Sequence, residues 1–153
     1  MYQRILVPVD NSATSRNALD EALRFAKNEK AQLRLVHVID LAQFAWSANE
    51  FLDVPQLQAA LKEGGQQVLA ESLALVSERG IEAETALLET WGGILAKAIV
   101  EDANSWKADL IVMGTHGYGG LTHMLLGSVA EGVMRHTPVP VLLVRNKEKP
   151  GKE

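Results

Sequence analysis

The chain has no cysteine, so a disulfide framework, a thiolate metal site and a thiol nucleophile are all excluded. Aromatic residues are sparse at 5%. No apolar run approaches the roughly 20 residues that a membrane-spanning helix requires. The opening "MYQRILVPVD" meets Pro8 and Asp10 too early to read as a signal peptide. Excess positive charge is also missing. With a formal net charge of -4, the chain does not present the basic surface expected of a general nucleic-acid binder. Neither the Walker A pattern ending in Gly-Lys nor the nucleophile elbow G-x-S-x-G occurs.

What remains is an ordinary globular composition: 47% hydrophobic and 22% charged residues in a chain of 153. That length suits one domain able to bury its own core. The four histidines, His37, His116, His123 and His136, show no i,i+4 or H-x-E pairing that would suggest a metal site, and none is expected.

Alternation along the chain is regular. "RILVPVD" is a short apolar run with the composition of a buried strand. It leads into a helical pattern that places Ala18, Ala22, Phe25 and Ala26 on one face, with Asn11, Ser12 and Thr14 as candidate N-caps. "AQLRLVHVID" is a second strand. An irregular segment with Phe44, Trp46 and Phe51 follows, and local packing is the expected use of these aromatics. A long helix is expected from Pro55 to Arg79, stopped by Gly80. Gly64 and Gly65 within it suggest close packing or a bend.

"IEAETALLE" alternates and reads as a strand near a sheet edge. Thr90 is a candidate cap for a helix over "GGILAKAIVEDA". "ADLIVMG" is almost wholly apolar, as in a strand covered on both faces. A glycine-rich stretch, a helix from Ser128 to about His136 and a last strand "VPVLLVR" complete the pattern. The domain is expected over 1–146, with a charged, disordered tail at 147–153.

Strands alternating with helices imply an α/β domain, a mainly parallel sheet with helices on both faces. In a 3-2-1-4-5 strand order, the order reverses between strands 1 and 4. Ligands of such sheets sit beyond the strand carboxyl ends at that reversal. Strand 1 ends near Asp10 and strand 4 ends at Gly114. "GTHGYGGLTHMLLGS" therefore begins where a crevice is expected. Its glycines suit positive φ and a close ligand approach. Gly127-Ser128 opens a helix whose N-terminus can seat an anion. Ser128-Val129-Ala130-Glu131 also matches a capping box. On this reading, Gly114→Ala or Gly127→Ala weakens ligand binding by crowding the backbone approach.

In its segments "ILVPVD", "LVHVID", "ADLIVMGTHG", "LLGSVAEGV" and "TPVPVLLVR", the chain resembles the universal stress proteins, in the nucleotide-binding subgroup. The family signature G-x2-G-x9-G-[S/T] is matched by Gly114, Gly117, Gly127 and Ser128. The resemblance implies a Rossmann-like open sheet of five strands that binds ATP, with Mg2+. It places Pro8, Val9 and Asp10 on the base and ribose side, and Val38 against adenine. Met113 and Gly114 form the floor, and Gly117, Gly127, Ser128 and Val129 hold the phosphates. It further implies a cytoplasmic homodimer paired through the last strand, Val139 to Arg145, acting as a nucleotide-responsive stress regulator. No dedicated catalysis is expected. Slow ATP hydrolysis or autophosphorylation at Ser128, or a nucleotide-independent dimeric scaffold, are the alternative roles.

Two positions depart from the family pattern. Tyr118 stands where members often carry a basic residue, and the loop from Gly117 to Gly127 has no Lys or Arg. Phosphate charge would then be met by backbone dipoles, Mg2+ and His123. Position 130 is alanine where some members have a hydroxyl.

Overall fold

The structure is a computed structural model that describes residues 1–42, 53–115 and 126–145. Phe44, Trp46, Phe51, His116, Gly117, Tyr118, His123 and the tail at 147–153 lie outside the described residues.

Five strands and four helices alternate: β1 (Arg4–Pro8), α1 (Ala13–Glu29), β2 (Gln32–Asp40), α2 (Val54–Glu78), β3 (Ala83–Thr90), α3 (Leu95–Trp106), β4 (Leu110–Gly114), α4 (Ser128–His136) and β5 (Val141–Val144). All strand pairings are parallel, in the order β3-β2-β1-β4-β5. The expected architecture and strand order are both present.

The near-continuous apolar strands have a direct explanation, because each central strand is covered on both faces. Ile5, Val7, Leu33, Leu35, Leu110 and Val112 point toward α1 and α2. Leu6, Val36, Val38, Ile111 and Met113 point toward α3 and α4. Successive residues alternate between two cores. At the amino end of the sheet, Asp109 accepts the backbone N–H groups of Gln3 at 2.8 Å and Arg4 at 3.0 Å. This ties the start of β1 to the start of β4.

Local chemistry sets the helix ends. Ser12 is the N-cap of α1 and accepts the Ser15 N–H at 3.1 Å. Asp53 caps α2, Pro55 sits in its first turn, and Gly80 at φ +70° follows its end. α2 runs unbroken through Gly64 and Gly65. A Cβ on Gly65 would lie 2.6 Å from Leu87 Cδ1 and 3.2 Å from His37 Cδ2, so this glycine serves close packing onto β2 and β3.

Thr90 does not cap α3. It ends β3, where its carbonyl accepts the Leu41 N–H at 2.8 Å. Gly92 then turns at φ +76° and donates to Asp40 Oδ1 at 2.8 Å. α3 starts only at Leu95, after Ile94, which makes no side-chain cap bond. The sheet edge claims the threonine before a helix can.

One charged cluster joins β2, β3 and α3 near the amino end. Arg34 donates through Nε and Nη2 to the two Asp102 oxygens at 2.8 and 2.9 Å, and through Nη1 to Glu84 at 2.9 Å. Glu84 also accepts from Trp106 Nε1, and the Arg4 guanidinium lies 4.9 Å from the Trp106 ring centroid. The hydrogen bond to Asp102 raises the Arg34 pKa above its ordinary value, with the nearby carboxylate charges adding to it and partial burial opposing. By linkage, that stabilisation is fully present below the unfolded guanidinium pKa and is lost only as pH rises through the still higher folded value.

Candidate functional site

The strand order reverses between β1 and β4, which are hydrogen-bonded neighbours in the middle of the sheet. From β1 the chain runs into α1 on one face, and from β4 it leads to α4 on the other. The two helices diverge and leave a crevice above the strand ends. A small open cavity occupies it, lined by Pro8, Asp10, Ser15, Met113, Gly114, Gly127, Ser128, Val129 and Ala130.

Gly114 and Gly127 are 13 positions apart yet share this cavity. One hydrogen bond accounts for it: Gly127 N–H donates to the Thr115 carbonyl at 2.6 Å. Thr115 is itself held by its N–H bond to the Val144 carbonyl at 3.1 Å. Both ends of the glycine-rich segment are thereby pinned to the sheet.

Seven of the ten residues expected at the site line this one cavity: Pro8, Asp10, Met113, Gly114, Gly127, Ser128 and Val129. Gly117 lies outside the described residues. Val9 is 2% exposed and packs into the core beneath α1 and α2. Its N–H donates to the Val36 carbonyl and its carbonyl meets His37 Nδ1 at 2.7 Å, so it frames the site rather than facing it. Val38 lines a neighbouring open cavity against α2. Asp10 borders both cavities.

Two expectations need correction. Neither Gly114 nor Gly127 has positive φ; among the described glycines only Gly80 and Gly92 do. Gly127 sits at φ -71° and ψ 159°, open to any residue. At Gly114 the constraint is space: a Cβ there would lie 2.5 Å from Thr14 Cγ2 and 3.1 Å from the Thr14 backbone carbon and oxygen. The glycine admits the first turn of α1, not only a ligand.

The capping box is also absent. Gly127 is the N-cap of α4, Ser128 is its first helical residue, and among the described residues no side chain caps the helix. Glu131 pairs with Arg135 at 2.7 Å instead. Drawing the Gly127 N–H to Thr115 sets the helix start one residue early for a serine cap. The consequence favours a ligand. The N–H groups of Ser128, Val129 and Ala130 have no acceptor within the helix, and the Ser128 hydroxyl is not spent on a cap. The helix dipole places about half a positive charge there.

Asp10 is the one ionisable side chain among the described lining residues. Its Oδ1 accepts the Ser12 N–H at 2.7 Å, and its own N–H donates to Ser15 Oγ at 2.9 Å. The carboxylate is thus fixed at the mouth of α1, with its second oxygen available to a donor such as a sugar hydroxyl. No acid–base pair flanks the cavity among the described residues, and no group of three or more metal-ligating side chains occurs among them. The arrangement suits binding of a polar, anionic molecule. Ala130, noted for its missing hydroxyl, also lines the cavity, whereas Ser15 was not anticipated. Ser15 sits inside a helical pattern, and its signal was its place three residues after the capping Ser12.

Comparison with known proteins gives one consistent result. The family model described as the universal stress protein family matches residues 1–145. A universal stress protein of Methanocaldococcus jannaschii is 39% identical over 149 residues, covering 97% of this chain and 85% of the relative. A solved member of the family from Burkholderia pseudomallei is 34% identical, with a TM-score of 0.75 over 94% of this chain and 96% of that one. A universal stress protein solved in complex with cAMP is 27% identical, with a TM-score of 0.69 over 95% and 99% of the two chains.

Proposed function

The chain belongs to the universal stress protein family, and we propose that it binds an adenine nucleotide in the crevice between β1 and β4 and acts as a nucleotide-responsive regulator. The observation that carries this reading is the cavity at the strand-order reversal, which gathers Asp10, Gly127, Ser128 and Val129 beside an uncapped helix N-terminus. The cAMP complex of a relative supports an adenine ligand.

In the proposed pose, the base and ribose lie toward Pro8, Asp10 and the Val38 cavity. The ribose hydroxyls donate to Asp10. The phosphates lie over the first turn of α4, held by backbone N–H groups, Gly117 and the Ser128 hydroxyl. ATP is the proposed nucleotide, with Mg2+ offsetting phosphate charge that a loop without Lys or Arg leaves unmet. Mg2+ favours oxygen donors shared with phosphate and keeps several waters, and a carboxylate such as Asp10, an acceptor at the cavity, suits a magnesium-bound water as an alternative to a ribose hydroxyl.

The proposed active form is a cytoplasmic homodimer. β5 is an edge strand of four apolar residues, each only partly buried in the single chain. An apolar open edge invites further pairing, and the same strand of a second copy would cover it. Native mass spectrometry of the gently purified protein tests both parts together. The expected species has twice the 16.7 kDa of one chain and carries the added mass of adenine nucleotide. A bare species of single-chain mass would oppose both parts.

A further inference from the structure

We propose that the Ser15 hydroxyl donates a hydrogen bond to a phosphate oxygen of the bound nucleotide, at the junction between ribose and phosphate. This rests on the nucleotide reading above and assigns a binding residue outside the glycine signature. Ser15 is 5% exposed and lines the crevice together with Asp10, Gly127 and Ser128.

The orientation of the hydroxyl follows from its partners. A serine hydroxyl has one proton to give and two lone pairs. Ser15 Oγ accepts the Asp10 N–H at 2.9 Å. The Ser15 backbone N–H is separately committed to Ser12 Oγ at 3.1 Å. With a lone pair held toward Asp10, the proton is directed elsewhere, and no described protein atom accepts it. A buried donor without an acceptor is costly, so the position is suited to an acceptor brought from outside.

Two further observations identify that acceptor as anionic. Ser15 lies in the first turn of a 17-residue helix, whose positive end favours negative charge. The opposite wall of the crevice is the N-terminus of α4, so the two helix ends meet across one space. Asp10 next to Ser15 accepts but does not donate when ionised, which suits ribose hydroxyls. Ser15 therefore stands where sugar gives way to phosphate. It also borders a small cavity between α1 and α2 that holds the buried Ser72, and the rival use of its proton is a water there.

Calorimetry with AMP and adenosine on the full chain separates the two uses, with melting curves to confirm folding. For Ser15→Ala, AMP affinity is expected to fall roughly tenfold to a hundredfold, the range for a hydrogen bond to a charged group. Adenosine affinity should fall by a clearly smaller factor, since adenosine lacks the phosphate and shares only the loss of the acceptor that holds the Asp10 N–H. Ser15→Cys keeps the side-chain shape with a somewhat larger atom and weakens the donor. It should show the same AMP-selective loss, and it carries the test if the alanine variant unfolds. Equal losses for AMP and adenosine, or an unchanged AMP affinity, would overturn the assignment. A native chain that binds neither ligand removes the nucleotide reading itself, and the assignment with it.

Discussion

Gly114→Ala is expected to lower the melting temperature by roughly 2–12 °C, from about 1–3 kcal/mol of overpacking at a chain of this size. The new Cβ would sit 2.5 Å from Thr14 Cγ2, and 3.1 Å from two Thr14 backbone atoms. Thr14 is 5% exposed in the first turn of α1 and has little room to retreat. Either that turn is displaced or the end of β4 is. Because Asp10 and Ser15 are fixed to the same turn, nucleotide binding should weaken alongside stability. Thr14→Ser in the same chain removes the methyl at 2.5 Å and should restore part of the melting temperature. The backbone contacts at 3.1 Å remain, so recovery should be incomplete. A variant with a native melting curve and lost nucleotide affinity would contradict this account, making the glycine a ligand contact alone.

Asp102→Ala should cost about 2–4 kcal/mol, somewhat below the range for breaking a fully buried pair, because the site retains some solvent. The Arg34 and Asp102 side chains are 18% and 12% exposed, and two of the Arg34 nitrogens bond to Asp102. Removing the carboxylate leaves a mostly buried guanidinium with the half-exposed Glu84 as its remaining charge partner. Denaturant unfolding measures the loss. Asp102→Asn keeps one acceptor and should lose less than alanine does. The cluster lies near the opposite end of the sheet from the crevice, so nucleotide affinity of the folded variant should be unchanged. A loss below about 0.5 kcal/mol, the size of a surface substitution, would show the cluster to be ornamental to stability.

Much of the fold was legible because the β-α alternation has few parallel-sheet solutions. The nearly all-apolar "ADLIVMG" read as a strand covered on both faces, and the alternating "IEAETALLE" fell at the edge, as β3 does. The crevice followed from strand order. What escaped was decided by contacts between distant segments. Gly114 is a glycine because α1 passes 2.5 Å from its missing Cβ, and no local pattern encodes that approach. Ser128 fits a capping box in sequence, yet the Gly127 bond to Thr115 moves the cap to the glycine. Thr90 has a cap residue's chemistry, but the pairing with β2 reaches it first. Ser15 was hidden in a helix whose periodicity explained it as structure.

Titration calorimetry of the folded protein with ATP, ADP and AMP, each with and without Mg2+, tests the central claim most directly. The account predicts saturable binding of one nucleotide per chain, with a dissociation constant below ~1 mM, equivalent to about 4 kcal/mol or more. It also predicts that Mg2+ strengthens ATP far more than AMP, since no Lys or Arg occurs between Gly117 and Gly127. Absence of binding by all three at millimolar concentration, in a sample with a cooperative melting transition, would contradict it.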